Sequence, residues 1–218
     1  MQLLDELRSE HDLIEQVAGA FLTFLAAPAD THFAVDAAGF LRFFRLYANH
    51  FHHAREEDTL FAALVERAGL PGDRGPIAIM LADHRHMAGL LDQIDSLVAD
   101  HPESPPCART LELATAYVHA LWHHIDAENS VLFPECGPRL RRNGVTELPA
   151  RAMDAADEQA MRLGVDLAAR YPPAGMDQAM RGDGCIMCPA FSVTCRGLEQ
   201  EWWNEWEWDE FEDRMNAG

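Results

Sequence analysis

The chain is poor in the residues that build sheets, disulfide scaffolds and membrane spans. Runs of β-branched residues are nearly absent, so a strand-rich fold lacks its raw material. No apolar stretch approaches the roughly 18–20 residues needed to cross a bilayer. The opening segment, Met1 to Leu7, is amphipathic and acidic. It has neither the basic start nor the continuous apolar run of a secretory signal, so a cytoplasmic location is expected. Cysteines number only five in 218 residues, and Cys107 and Cys136 lie far from the other three. An odd, scattered set argues against a disulfide framework. Basic residues are scarce, 17 Lys and Arg against 36 Asp and Glu, for a net charge of -19. Nucleic acid and anionic membrane need a cationic surface, so both are disfavoured as partners. The charge itself serves solubility.

What the chain has in quantity is helix formers. An apolar stripe of Leu7, His11, Ile14, Ala18, Phe21 and Leu25, spaced by threes and fours, predicts a helix from about Leu3 to Ala26. A second is expected over about Phe33 to Arg67, ended by the turn residues Gly69, Pro71, Gly72 and Asp73. A third spans about Pro76 to Val98, and a fourth about Cys107 to Phe133, closed by Gly137 and Pro138. A fifth is expected over about Leu148 to Arg170. Four long helices with short connections predict an all-α, up-down antiparallel four-helix bundle with one added helix. Composition changes at Pro172. Residues 1–171 are therefore read as the bundle domain, and 172–218 as a Cys- and Trp-rich acidic tail.

Within the bundle a polar pattern occurs twice. His11 is followed by His52-x-x-x-Glu56, and His84 by His124-x-x-x-Glu128. The offset is 73 residues for the first histidine and 72 for the other two positions, and Leu60-Phe61 returns as Leu132-Phe133. All six residues replace apolar residues on core-facing stripes. On a helix, i and i+4 project from one face, so each His-x-x-x-Glu pair can serve one centre. A lone histidine on such a stripe is most often a satisfied core residue. Two buried carboxylates at the same level are different, because each costs several kcal/mol, in round terms about 3–5, unless paired or bound to metal. The mixed nitrogen and oxygen set suits iron better than a structural zinc site. His53-x-x-x-Glu57 is a competing register, but only His52 and Glu56 keep both the 72-residue offset and the distance to Leu-Phe.

This pattern resembles the hemerythrin-like (HHE) family over about Met1 to Arg170. The resemblance implies a non-haem di-iron centre within four helices. Carried over by position, Glu56 and Glu128 bridge the irons, with His11, His52, His84 and His124 as terminal ligands. Ferritin-like bundles use Glu-x-x-His instead, a different order and spacing. The oxygen-carrying hemerythrins have a fifth histidine, one turn from another on the third helix. Here the flanking positions are Met80 and Ala88. Two six-coordinate irons offer about twelve positions. Four imidazoles, two bridging carboxylates and an oxo or hydroxo bridge leave about two open, one on each iron. Such a centre favours reaction over reversible carriage, unless a side chain such as Tyr117 adds a ligand. Similar four-histidine members of the family are associated with peroxide breakdown, nitric-oxide response or repair of damaged iron centres.

The remaining histidines beside the proposed ligands, His50, His53, His86 and His123, point about 100° or more away on an α-helix and are expected in solvent. Glu10 and Asp83 each precede a proposed ligand and recur across the repeat, as hydrogen-bond acceptors for imidazole N–H or as charges near a helix N-terminus. In the tail, Cys185-x-x-Cys188 with Cys195 is a weak candidate for a second metal or redox site, one ligand short of a tetrahedron unless Cys136 joins it. Four of the five tryptophans fall in residues 202–208, an aromatic surface for self-packing, a homodimer or a partner protein.

Three readings follow, from different classes. One is a di-iron catalase-like enzyme acting on hydrogen peroxide, with no catalytic residue beyond the metal centre itself. Another is a module that binds or senses O2 or NO. The third is an iron donor for repair of iron-sulfur centres.

Overall fold

The computed structural model describes residues 1–27, 33–100 and 106–176. Among them it is all-helical, without strands. Five helices form the molecule: α1 (Gln2–Ala26), α2 (residues 33–66), α3 (Gly75–Asp100), α4 (residues 108–142) and α5 (Ala155–Arg170). Cys185, Cys188, Cys195 and the Trp-rich segment lie outside the described residues.

The apolar stripes pack into two clusters, and their membership sets the direction of each helix. One cluster joins the start of α1 (Leu3, Leu4, Leu7) and of α3 (Ile77, Met80) to the end of α2 (Leu60, Leu64) and of α4 (Leu132, Leu140). The other joins the remaining halves, Ile14 to Leu25, Phe33 to Phe51, Met87 to Ile94 and Leu113 to Ile125. Helices whose starts meet their neighbours' ends alternate in direction, as an up-down bundle requires. His11, His52, Glu56, His84 and Glu128 lie in sequence between the residues of the two clusters, and His124 stands one residue before Ile125, the last member of the larger cluster on α4. The expected bundle is thus observed, with a polar layer across its middle.

Helices α2 and α4 are not uniformly α. Phe44–His53 and Glu56–Phe61 in α2, and Glu128–Leu132 in α4, are π-helical. Their i→i+5 bonding widens the turn, a deviation concentrated at functional sites in proteins generally. Helix α4 also runs further than its prolines suggested. It passes through Pro138 to Arg142, held by the buried Cys136 and Leu140 on either side. It ends at Arg142, and Gly144 just beyond it has a φ of 75°, the left-handed conformation that glycine takes without penalty.

Helix α5 starts later than expected, at Ala155 rather than near Leu148. Asp154 is the reason. Its carboxylate accepts from Ala156 N at 2.8 Å and Asp157 N at 2.9 Å, while Asp157 accepts from Asp154 N at 2.9 Å. This reciprocal cap fixes the first turn. The helix then lies across α1 and α2. Gly164 meets the Phe43 ring so closely that a Cβ would overlap it. At the far end, Tyr171 donates to Asp36 at 2.7 Å beside the Arg170–Asp36 pair. The chain then turns back along α1, where Ala174 N donates to Gly19 O at 3.1 Å and Thr23 Oγ1 to Pro172 O at 2.7 Å.

Candidate metal centre

The polar layer is buried. His11, Glu56 and Glu128 are fully buried, and His52, His84 and His124 are at most 5% exposed. All six residues singled out by the repeat converge there. Glu56 faces both ways: Oε1 lies 3.7 Å from His11 Nε2 and 3.4 Å from His52 Nε2, and Oε2 lies 3.5 Å from His84 Nε2. Glu128 Oε2 sits 3.3 Å from His11 Nε2 and 3.4 Å from His124 Nε2. The Nε2 atoms of His84 and His124 are 2.9 Å apart. Two groups of donor atoms result, each with its ligand atoms within 4.8 Å of one another, and Glu56 belongs to both.

Each imidazole is oriented from behind. His52 Nδ1 is 2.8 Å from Glu10 Oε2, and His124 Nδ1 is 3.5 Å from Asp83 Oδ2. His84 Nδ1 is 2.6 Å from Glu57 Oε1, and His11 Nδ1 is 3.0 Å from Asn129 Oδ1. An acceptor at Nδ1 takes the ring proton there and leaves Nε2 bare toward the centre. These supports repeat as the ligands do: Glu10 and Asp83 are 73 residues apart, Glu57 and Asn129 are 72. Glu10 and Asp83 are thus acceptors, but for the histidines of the next helix rather than those beside them. The rings of Phe133 and Phe61 stack on His11 and His84, at 5.4 Å and 6.0 Å between centroids. Glu10 is itself held by Arg55, which also pairs with Glu6. Burial, partly offset by Arg55, pushes the Glu10 carboxyl up to about 7.

Burial keeps His52, and to a lesser degree His84, below the ordinary imidazole range, hence neutral at pH 7. Neutral imidazole is the form that ligates. The two central carboxyls divide. Burial and then Glu128 push Glu56 well up. Burial acts on Glu128 in the same sense, but His124 and His11 outweigh it and hold that carboxyl down to about 2. Two carboxyls this close share one proton when nothing else neutralises them.

Six atoms of this layer are buried without a hydrogen-bond partner among the described residues: His11 Nε2, His52 Nε2, and both carboxylate oxygens of Glu56 and of Glu128. Native interiors rarely leave so many polar atoms unpaired in one place. All six can act as lone-pair donors, and these residues offer donor atoms within 4.8 Å of one another, so cations satisfy them and protons do so only in part. Mixed imidazole and carboxylate donors fit first-row transition metals rather than a thiolate zinc site. The residues present therefore fit a bound metal.

One expectation fails. His50, His86 and His123 are exposed as anticipated, but His53 is only 4% exposed, its ring stacked 3.8 Å from that of His84 at 9°. It belongs to the second donor group, with Glu56, His84 and His124. The 100° step of an α-helix places residue 53 off the inward face, whereas the π-helical winding of Phe44–His53 turns less per residue. The centre accordingly has a fifth histidine beside it, in a place that α-helical spacing conceals.

Two other candidates lie in the apolar clusters. Cys136 is buried in the apolar cluster at the α1 start, and burial pushes its thiol up, out of the reactive range. Tyr117 is wholly buried against Phe44, and its hydroxyl has no hydrogen-bond partner among the described residues. Tyr117→Phe removes an unpaired polar atom, so stability should stay level or rise by about 1 kcal/mol. Bound metal should be unchanged, and a drop in metal content on analysis would make the phenol a ligand.

A four-helix bundle with a buried, two-sided layer of histidines and glutamates defines a cation-binding protein. The chain belongs to the hemerythrin HHE cation-binding domain family, which it matches over residues 2–136. That span contains every residue of the layer. No curated protein and no solved structure matches the chain. No helix among the described residues is long and apolar enough to cross a membrane.

Proposed function

We propose that this chain is a non-haem di-iron protein that breaks down a small oxidant, with hydrogen peroxide as its substrate. The observation that carries the reading is the split donor set, two groups of buried nitrogen and oxygen ligands joined by Glu56. His11 and His52 would hold one iron, His84 and His124 the other, with Glu56 and Glu128 between them. An iron pair would supply two-electron redox chemistry, enough to oxidise one peroxide to O2 while a second is reduced to two waters. The protein's part is to hold and shield. Glu10, Asp83, Glu57 and Asn129 keep each imidazole turned inward, and the two apolar clusters exclude bulk water. Full burial of the centre favours a small exogenous molecule over a larger substrate.

Iron-loaded protein given hydrogen peroxide should release O2 over many turnovers per centre, measured with an oxygen electrode. A persistent oxygenated or nitrosyl spectrum without turnover would overturn the enzymatic reading. It would support the second one, reversible binding or sensing of O2 or NO, which the buried His53 favours because an added donor closes a coordination position. Iron donation from the same centre, with Cys185 and Cys188 at the recipient, is the third reading. A cytoplasmic protein, with 172–218 as a separate segment for a homodimer or partner contact, completes the proposal.

A further inference from the structure

The two copies of the repeat are wound differently. Phe44–His53 is π-helical. Its counterpart at the 72-residue offset, residues 116–125, lies wholly within the α-helical Ala108–Ala127. A π-turn is rare and needs support, and one copy has a neighbour that the repeat does not supply. Residues 143–154, which join α4 to α5, form a strap from one apolar cluster to the other. Leu148 and Ala150 pack on the smaller cluster and Ala160 belongs to the larger. Between them, Arg151 meets the π-helical segment. Its Nη2 donates to His50 O at 3.0 Å, and its guanidinium lies over the Phe51 ring at 4.9 Å.

We infer that Arg151 is a positioning residue for the metal centre, tying the start of α5 to His50 and Phe51 and so holding the π-helical turn that presents His52 to the polar layer. The inference rests on the cation-binding reading above and assigns a residue outside the bundle to it. Arg151 is itself anchored: its fork reaches both carboxylate oxygens of the buried Asp157, at 2.5 Å and 3.1 Å. A planar fork can hold a carboxylate and still donate to a carbonyl, which an ammonium does less well. The support continues inward. Arg55 also lies over the Phe51 ring, at 5.0 Å, and pairs with Glu10, which is 2.8 Å from His52 Nδ1. The counterparts of Phe51 and Arg55 are His123 and Ala127, so this bracing is particular to the His52 side.

Full-length Arg151→Ala tests this beside Arg170→Ala, which cuts the Arg–Asp36 tether at the far end of α5. Ferrous iron affinity is read by competition with a chelator, and main-chain opening by hydrogen exchange of the iron-saturated protein. Arg151→Ala should bind iron about tenfold more weakly, the low end of the cost of losing an outer support. Its amides over residues 44–53 should exchange several-fold faster, and Mössbauer spectra with ⁵⁷Fe should show one iron signal moved. Arg170→Ala should match wild type in all three. Wild-type affinity, exchange or spectrum in Arg151→Ala would overturn the inference. Equal losses in both variants would also overturn it, since Arg151 would then only fasten α5. Fewer than two irons in saturated wild-type protein would overturn the two-cation reading, whereas the affinity and exchange comparisons need one bound cation and decide the role of Arg151 separately. Helical circular dichroism of each variant separates these results from misfolding.

Discussion

Glu56→Ala will abolish the binding of both cations, because Glu56 is the one residue common to the two donor groups. Each cation at about 1,000 times its dissociation constant adds about 4 kcal/mol to a folded protein. For a chain of this size that is a rise in Tm of roughly 8–16 °C for each one bound. Wild-type protein should show that rise on going from chelated to loaded, and the variant should show almost none. Metal analysis supplies the independent measurement, falling from about two per chain to fewer than one. Retention of two metals by Glu56→Ala would remove the basis for a shared, bridging carboxylate. The variant's metal-free form should be no less stable than metal-free wild type, since the substitution takes away a buried carboxyl whose oxygens have no hydrogen-bond partner among the described residues.

Gly164→Val acts on the fold and not on the metals. The Phe43 ring that a Cβ would overlap cannot turn aside, because it is fully buried between Phe44 and Tyr47 at 5.4 Å and 5.3 Å. Forcing extra atoms into a packed core costs about 1–3 kcal/mol, and a branched Cβ belongs at the upper end. A fall in Tm of about 6–12 °C is expected by thermal melting. Metal content should hold, since α5 contributes no residue to the polar layer. A melt indistinguishable from wild type would mean that α5 is not docked on α2 as described.

The residues of the layer were legible because duplication marks them twice. A histidine on a core stripe is ambiguous alone, but His11 with His84, His52 with His124 and Glu56 with Glu128 share one offset and one set of flanks. Helix number and direction followed from apolar spacing and turn residues. His53 was not legible, because the spacing argument assumes α-helical pitch and Phe44–His53 does not have it. The cross-helix supports were half legible. Glu10 and Asp83 stood out by recurrence, but which imidazole each would face depends on the crossing of neighbouring helices. The start of α5 is set by Asp154 with Asp157, an acidic variant of the reciprocal cap that apolar spacing does not reveal. Pro138 was read as a stop, although flanking buried residues carry α4 past it.

The polar layer between two apolar clusters has a mechanical consequence. The described helices make two short bundles stacked end to end on four common struts, and polar side chains take the place of apolar ones at the seam between them. Side chains from all four helices meet there, so a bound metal would act as a clasp. Metal occupancy should then set the size of the cooperative folding unit, one body when loaded and two halves, each with its own apolar cluster, when chelated.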